Sequence, residues 1–328
     1  MTLTNKNILL IGGTGSFGTA FLNYILAHHP EVNRVVIFSR DEQKQYELAN
    51  SLSTDQKKKV QFVIGDVRDK ERLMEILPGI HIVIHAAAMK HVPITEANPG
   101  ECYKTNVVGT KNLVEATMVH STERVVALST DKAVMPINVY GNSKQELEKL
   151  IVDAQSGEQN KKTIYSVVRY ANVLGSRGSV VPFFQRIKEA GELPITDFRM
   201  TRFSITMQQG IEMVLHALEN SVGGEIFVPK APSYKIATVA EAIAPKSKLK
   251  EVGIRNGEKI SELMVSRLEA SRTLEKKSCY VVLPENEPGE KYYSLHGDKR
   301  VPVNFEYDSA TNSEWLSVAQ LKEQIGNL

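Results

Sequence analysis

Asn7-Ile-Leu-Leu-Ile11 runs directly into Gly12-Gly-Thr-Gly-Ser-Phe-Gly18, and residues 17–28 continue with apolar side chains at helical spacing. A short, unbroken apolar run reads as a buried strand, so the stretch reads as strand, glycine loop and helix. Glycine permits the tight turn and lets backbone N–H groups approach a pyrophosphate at the helix N-terminus. Gly12, Gly15 and Gly18 are spaced G-x-x-G-x-x-G rather than the more familiar G-x-G-x-x-G. A glycine triplet alone also occurs in turns that bind nothing. The strand–loop–helix setting makes this one a dinucleotide cradle, with Thr14, Ser16 and Phe17 between the glycines.

Outward from that unit, the pattern repeats. Apolar runs at 34–38, 60–64, 80–85, 124–128 and 164–169 alternate with stretches of helical spacing such as 69–77 and 105–120. Strands without polar alternation, separated by helices, imply a parallel sheet covered on both faces. The expected fold class is α/β, a Rossmann-type doubly wound parallel sheet. After residue 175 the rhythm breaks. Residues 176–181 and 192–202 read as loop and short strand, 205–220 as a helix returning to the first lobe, and 225–228 as a further strand. This gives a dinucleotide domain over 1–175 and a smaller, discontinuous substrate-binding lobe over 176–328.

Composition narrows the function. The 328 residues are 42% apolar and carry a net charge of +2, which gives no electrostatic case for a nucleic-acid partner. The two cysteines, Cys102 and Cys279, lie far apart and outside any C-x-x-C pattern, which fits a reducing compartment. The apolar run at the N-terminus is too short to span a bilayer and no signal-peptide pattern precedes it, so a cytoplasmic protein with no membrane partner is expected. The eight histidines have no ligand spacing, and no metal is expected.

The second strand ends in Ser39-Arg40, where a carboxylate for the ribose hydroxyls of NAD would usually stand. A guanidinium and a hydroxyl there suit a 2′-phosphate and favour NADP, although Asp41 and Glu42 follow at once. Asp66, with Val67 beside it, follows the third strand; it either reaches the adenine amino group or caps the next helix. Ala86 and Ala87 keep side chains small where a flat cofactor lies. Asn106, in an otherwise apolar helix, needs buried partners and is placed to brace the site.

Tyr140 and Lys144 are four residues apart and share a helical face. A tyrosine is too weak an acid to serve as base near neutrality unless a nearby ammonium stabilises its phenolate. Y-x-x-x-K alone is common, but after this loop and these strands it reads as a redox site. Thr130-Asp131-Lys132 adds a carboxylic acid and an amine. Thr130 either hydrogen-bonds a sugar hydroxyl or caps the strand end.

With these residues in view, the chain resembles the extended short-chain dehydrogenases/reductases, and within them the inverting UDP-N-acetylglucosamine 4,6-dehydratases that begin pseudaminic acid and related sugar pathways. The resemblance rests on the glycine loop, Ser39-Arg-Asp-Glu, Ala86-Ala-Ala-Met-Lys-His-Val-Pro, Ser129-Thr-Asp-Lys-Ala, Arg169-Tyr-Ala-Asn-Val, Gly175-Ser-Arg-Gly-Ser-Val-Val-Pro, Met200-Thr-Arg-Phe, Gly223-Gly-Glu-Ile-Phe-Val-Pro and Gly253-Ile-Arg-Asn-Gly-Glu-Lys. It implies C4 oxidation of UDP-N-acetylglucosamine by NADP with Tyr140 as base, C5 deprotonation by Lys132, and protonation of the departing C6 hydroxyl by Asp131. Hydride then returns to C6, and C5 is reprotonated from the opposite face. Retaining relatives carry Asp-Glu at the Asp131-Lys132 positions. For these roles Lys132 must be neutral and Asp131 protonated, and a plain salt bridge between them opposes both. The resemblance further implies a contact of Lys90 with the sugar or the cofactor's nicotinamide, substrate contacts at Asn172, Val180, Arg199, Thr201, Arg255 and Glu258, and a homo-oligomer, dimer or hexamer. A nucleotide-sugar 4-epimerase or ketoreductase is the alternative, since it shares the loop, Tyr140 and Lys144.

Overall fold

The computed structural model describes residues 3–120, 122–157, 162–176, 178–285 and 290–326. Its core is a nine-stranded sheet. Six strands follow the expected order: β1 (Asn7–Ile11), β2 (Arg34–Ser39), β3 (Val60–Ile64), β4 (Ile82–His85), β5 (Arg124–Thr130) and β6 (Ile164–Tyr170). Across the sheet they run β3-β2-β1-β4-β5-β6, all parallel. Beyond β6 come Ile226–Pro229, parallel, then Cys279–Val282 and Thr273–Glu275, antiparallel. The strand order reverses between β1 and β4, so their carboxyl ends open a crevice, the place where ligands bind in such sheets.

Period-two alternation in the apolar strands feeds both faces. Leu9, Ile11, Val36, Val83 and Val125 pack on one side with Leu113 and Ala116 of Gly109–Val119 and Leu147 and Ile151 of Val139–Ser156. Ile8, Leu10, Val35, Ile37 and Ile84 pack on the other with Phe21 and Ile25 of helix α1 (Ser16–His28). Ile211, Val214 and Leu218 of Met207–Asn220 join that second core, so the helix returns to the sheet as the sequence suggests. A third core forms the smaller lobe, with Val181 and Phe184 against Leu193, Ile195, Val239, Ala240 and Leu321.

Some expectations shift. Of the described residues read as loop and short strand at 176–181, only Val180 and Val181 differ, opening a helix, Val180–Ile187, whose Pro182 sits in its first turn, where a missing N–H costs nothing. The stretch 192–202 divides into Glu192–Ile195 and the start of Thr201–Ile205. The helix expected over 105–120 opens with a π turn, Lys104–Val108, and this turn carries Asn106. Arg177 of the Gly175 motif lies outside the described residues. Among the described residues no helix is long and apolar enough to cross a membrane.

Candidate active site

The glycine loop is dictated by contact. Gly12 has φ +81°, and a Cβ there would stand 2.8 Å from the Ala87 nitrogen and 2.9 Å from the Ala86 carbonyl carbon. A Cβ on Gly18 would stand 2.5 Å from the Gly13 Cα. Gly15 occupies the N-cap of α1 with no side-chain cap, which leaves the first-turn N–H groups for a ligand. This cradle fits a dinucleotide pyrophosphate.

At the ribose end, Asp41 accepts from the Lys44 nitrogen at 3.0 Å as the cap of helix Glu42–Ser51, and ion-pairs with the Lys44 ammonium at 2.6 Å. Its carboxylate is thereby engaged by its own helix. Lys44 lines the cleft beside the glycine loop, a cation the sequence reading passed over although it lies one turn beyond Arg40. The Arg40 guanidinium is more than half exposed and 3.6 Å from Asp66. The Ser39 hydroxyl accepts from Gln45 at 3.0 Å. Asp66 does not cap the next helix, because Asp69 does. Asp66 instead takes the Arg68 guanidinium at 2.6 Å and 2.9 Å. Burial opposes its ionisation, yet Arg68 holds its carboxyl below the usual range. Val67 packs against Gly109.

A cleft of ≈ 1030 Å³ runs from this loop across the carboxyl ends of the strands into the smaller lobe. Thr14, Ser16, Phe17, Ala86, Lys90, Thr130, Asp131, Lys132, Tyr140, Lys144, Asn172, Val180, Arg255 and Glu258 all line it. Ala87 sits behind Gly12. Two expected substrate residues stand elsewhere. Arg199 is exposed and bound to Asp197 at 2.7 Å and 3.0 Å. Thr201 is buried, its hydroxyl 2.8 Å from that of Ser309.

The segment that carries the candidate acid and base begins where β5 ends. The Thr130 hydroxyl donates to Asp131 Oδ1 at 2.8 Å and accepts from the Lys132 nitrogen at 3.4 Å, in the same cleft wall as Tyr140. Asn138 caps helix Val139–Ser156, accepting from the Gly141 nitrogen, and donates to the Gly257 carbonyl at 2.7 Å. It thereby fixes the Tyr140 helix to the Arg255–Glu258 loop. Asn106 braces the helix from behind, donating to Ser143 Oγ at 2.8 Å and bonding both the nitrogen and the carbonyl of Met89.

The expected electrostatics are revised in two respects. Burial brings the Lys144 ammonium down to about 8, and its Nζ donates to the Leu128 carbonyl at 2.5 Å. Burial pushes the Tyr140 phenol up to about 12, and the cation pulling it down is Lys132 rather than Lys144. Lys132 itself is not held neutral. Burial lowers its pKa, but Asp131 Oδ1 at 3.2 Å and Glu262 Oε1 at 3.1 Å outweigh that and keep the ammonium protonated above its ordinary range. The Asp131–Lys132 salt bridge that the sequence left open is therefore present, with Glu262 as a third member. Glu262 lies 131 positions from Asp131, and nothing in the local sequence marks it.

Five buried polar atoms of the cleft wall have no hydrogen-bond partner: Ser129 Oγ, Asp131 Oδ2, Asn172 Oδ1, Ser179 Oγ and Glu262 Oε2. Buried polar groups are normally satisfied, so five unpaired atoms in one wall set this region apart from the packed cores. Among the described residues no cluster of His, Cys, Asp and Glu side chains is placed to hold a metal ion.

Comparison with known proteins bears on this geometry. The model of the "Polysaccharide biosynthesis protein" family matches residues 8–284. An inverting UDP-N-acetylglucosamine 4,6-dehydratase of Campylobacter jejuni is 44% identical over 98% of both chains. The chain belongs to this family. A protein named UDP-glucose 4-epimerase from Rickettsia bellii is 37% identical over 99% of this chain and 96% of its own. Among solved structures, Pen from Bacillus thuringiensis superposes with a TM-score of 0.89 at 31% identity, covering 100% of each chain. A dTDP-glucose 4,6-dehydratase from Streptomyces venezuelae, at 20% identity and a TM-score of 0.70 over 90% of this chain and 92% of its own, shares the fold.

Proposed function

We propose that this chain is an NADP-dependent UDP-N-acetylglucosamine 4,6-dehydratase that inverts C5. The observation that carries the reading is the Asp131–Lys132 pair, its groups 3.2 Å apart, in the cleft wall beside Thr130 and Tyr140. Redox chemistry at C4 alone needs no such pair, so an epimerase reading would leave Asp131 and Lys132 without a chemical role. The Arg40 and Lys44 cations near the end of β2 support NADP as the dinucleotide.

The nicotinamide, when bound, takes a hydride from the sugar and gives one back. The chain supplies the protons. Tyr140 is assigned the proton of the C4 hydroxyl; burial favours its phenol form, and the charged Lys132 ammonium is the group that works against burial and toward the phenolate this step needs. The C4 ketone acidifies the C5 proton. Moving one proton from Lys132 Nζ to Asp131 across their hydrogen bond creates a neutral amine and a carboxylic acid in one step, with no exchange with solvent. The amine then takes the C5 proton, and the acid protonates the departing C6 hydroxyl. The salt bridge and the catalytic pair are thus two tautomers of one arrangement. Asn172 and Arg255 are assigned to the nucleotide diphosphate, Glu258 to its ribose, and Lys90 and Val180 to the sugar end. Incubating the holoenzyme with UDP-N-acetylglucosamine and no reductant tests this. The expected product has lost one water and gained a C6 methyl; a C4 epimer with its hydroxymethyl intact would overturn the reading.

A further inference from the structure

Glu262 is almost completely buried, 2% exposed, at a wall of the cleft. Its position is rigidly held. Its nitrogen donates to Ser309 Oγ at 2.9 Å, and its carbonyl accepts from the Ser309 nitrogen at 2.9 Å. Thr201 holds the same Ser309 hydroxyl, which gives that expected substrate residue a supporting place. The adjoining segment is pinned to the catalytic turn, since Lys259 Nζ donates to the Val134 carbonyl at 2.7 Å and Asn138 holds the Gly257 carbonyl. Arg202, 3.6 Å from Glu262 Oε1, is itself tied to the Thr201, Lys259 and Ile260 carbonyls.

We infer that Glu262 is a positioning residue of the acid/base site, the fixed acceptor that holds Lys132 Nζ in place in both its charged and its neutral form. The inference rests on the dehydratase reading. An ammonium donates to both Asp131 and Glu262. When its proton passes to Asp131, that contact reverses, because the carboxylic acid now donates toward nitrogen. Glu262 stays a carboxylate and still accepts an N–H from the neutral amine, so the base keeps its place while the proton moves. Balance is kept throughout: one proton leaves nitrogen, one arrives on Asp131, and Glu262 neither gains nor loses any. The charged and titratable groups facing Lys132 are Asp131, Glu262, Arg202, Lys259, Tyr140 and Tyr234. Among them only Glu262 is an anion from outside the turn.

Two variants separate anchoring from charge. Glu262→Gln keeps an acceptor oxygen and removes the charge; Glu262→Ala removes both. Lys132 is followed in the holoenzyme by NMR of ¹³Cε-labelled lysine, assigned with Lys132→Arg. The expected result for Glu262→Gln is a Lys132 titration lowered by at least about one pH unit, the scale for losing a unit charge some 3 Å away even at the dielectric of water. The alkaline limb of kcat, where the shared proton is lost, moves down with it. Glu262→Ala should lower kcat about 100-fold with little change in KM, the cost of a base misplaced by about 1 Å. An unmoved Lys132 titration in Glu262→Gln, or wild-type kcat in Glu262→Ala, would overturn the inference. If the wild-type chain forms no dehydrated product, the functional reading fails instead, and the titration still tests whether Glu262 governs Lys132.

Discussion

Replacing Lys132 by methionine should cost stability as well as activity, and the structure sets the size. Methionine keeps the unbranched stem and removes the ammonium. That ammonium is the cation shared by Asp131 and Glu262, whose side chains are 1% and 2% exposed. Its removal leaves Asp131 without a cationic partner, and Glu262 with only Arg202 at 3.6 Å. Breaking a buried ion pair by deleting one partner costs about 3–5 kcal/mol. Lys132 is 21% exposed, which places this case near 3 kcal/mol. With an unfolding entropy of roughly 2.1 cal/mol/K per residue over 328 residues, that corresponds to a fall of about 4 °C in Tm. The decisive comparison is the double variant Lys132→Met/Glu262→Gln. Removing the second charge relieves the burden created by the first change, so about half of the lost Tm should return, whereas independent damage would add. Differential scanning calorimetry of the wild type, both single variants and the double variant measures this, with dinucleotide binding as the check that each is folded. A Lys132→Met protein that melts with the wild type, or a double variant less stable than Lys132→Met, would show that the Lys132 ammonium does not offset the two buried carboxylates.

Other outcomes follow from the same geometry. Gly12→Ala forces a Cβ against the Ala86–Ala87 backbone at a positive φ, so it should lose about 2–4 kcal/mol and most dinucleotide affinity, read by calorimetry and fluorescence titration. Arg40→Ala and Lys44→Ala should each weaken NADP binding about 10–100-fold and leave NAD affinity nearly unchanged; equal losses for both dinucleotides would remove these cations from the 2′-phosphate. Burial raises the Glu269 carboxyl, but the Arg169 guanidinium outweighs it and holds the group down at about 2. A depressed carboxyl stabilises the fold fully above its ordinary value of 4.5 and loses that contribution as the pH falls toward about 2. Roughly 3 kcal/mol should therefore disappear across that window, and Glu269→Gln should flatten this part of a denaturation-versus-pH curve.

The dinucleotide half was legible because its signals are local. The run 7–18 carries strand, turn and helix start in consecutive residues, and Tyr140 and Lys144 share one helical turn. Legibility ended where the chain returns from a distance. The antiparallel strands Thr273–Glu275 and Cys279–Val282 complete the large sheet although their sequence neighbours build the other lobe. Arg169 read as a strand residue, yet its guanidinium is buried between Glu148 and Glu269, joining the Tyr140 helix to a segment 100 positions away. Glu262 was hidden for the same reason. Residue type suggested the acid and the base at 131 and 132, but their protonation depends on a carboxylate that only the fold brings near. Whether Lys132 stands charged in a salt bridge was left open by the sequence, because one of the carboxylates that hold it so comes from position 262.

Dehydration and inversion of a nucleotide sugar by Asp131 and Lys132 are tested by proton NMR of the holoenzyme with UDP-N-acetylglucosamine in D₂O. The expected spectrum has a new C6 methyl signal uncoupled to C5, because C5 carries deuterium, with the configuration there inverted to the L-arabino 4-keto sugar. A methyl product with C5 configuration retained, or an unchanged C5 proton and an intact hydroxymethyl group, would contradict it.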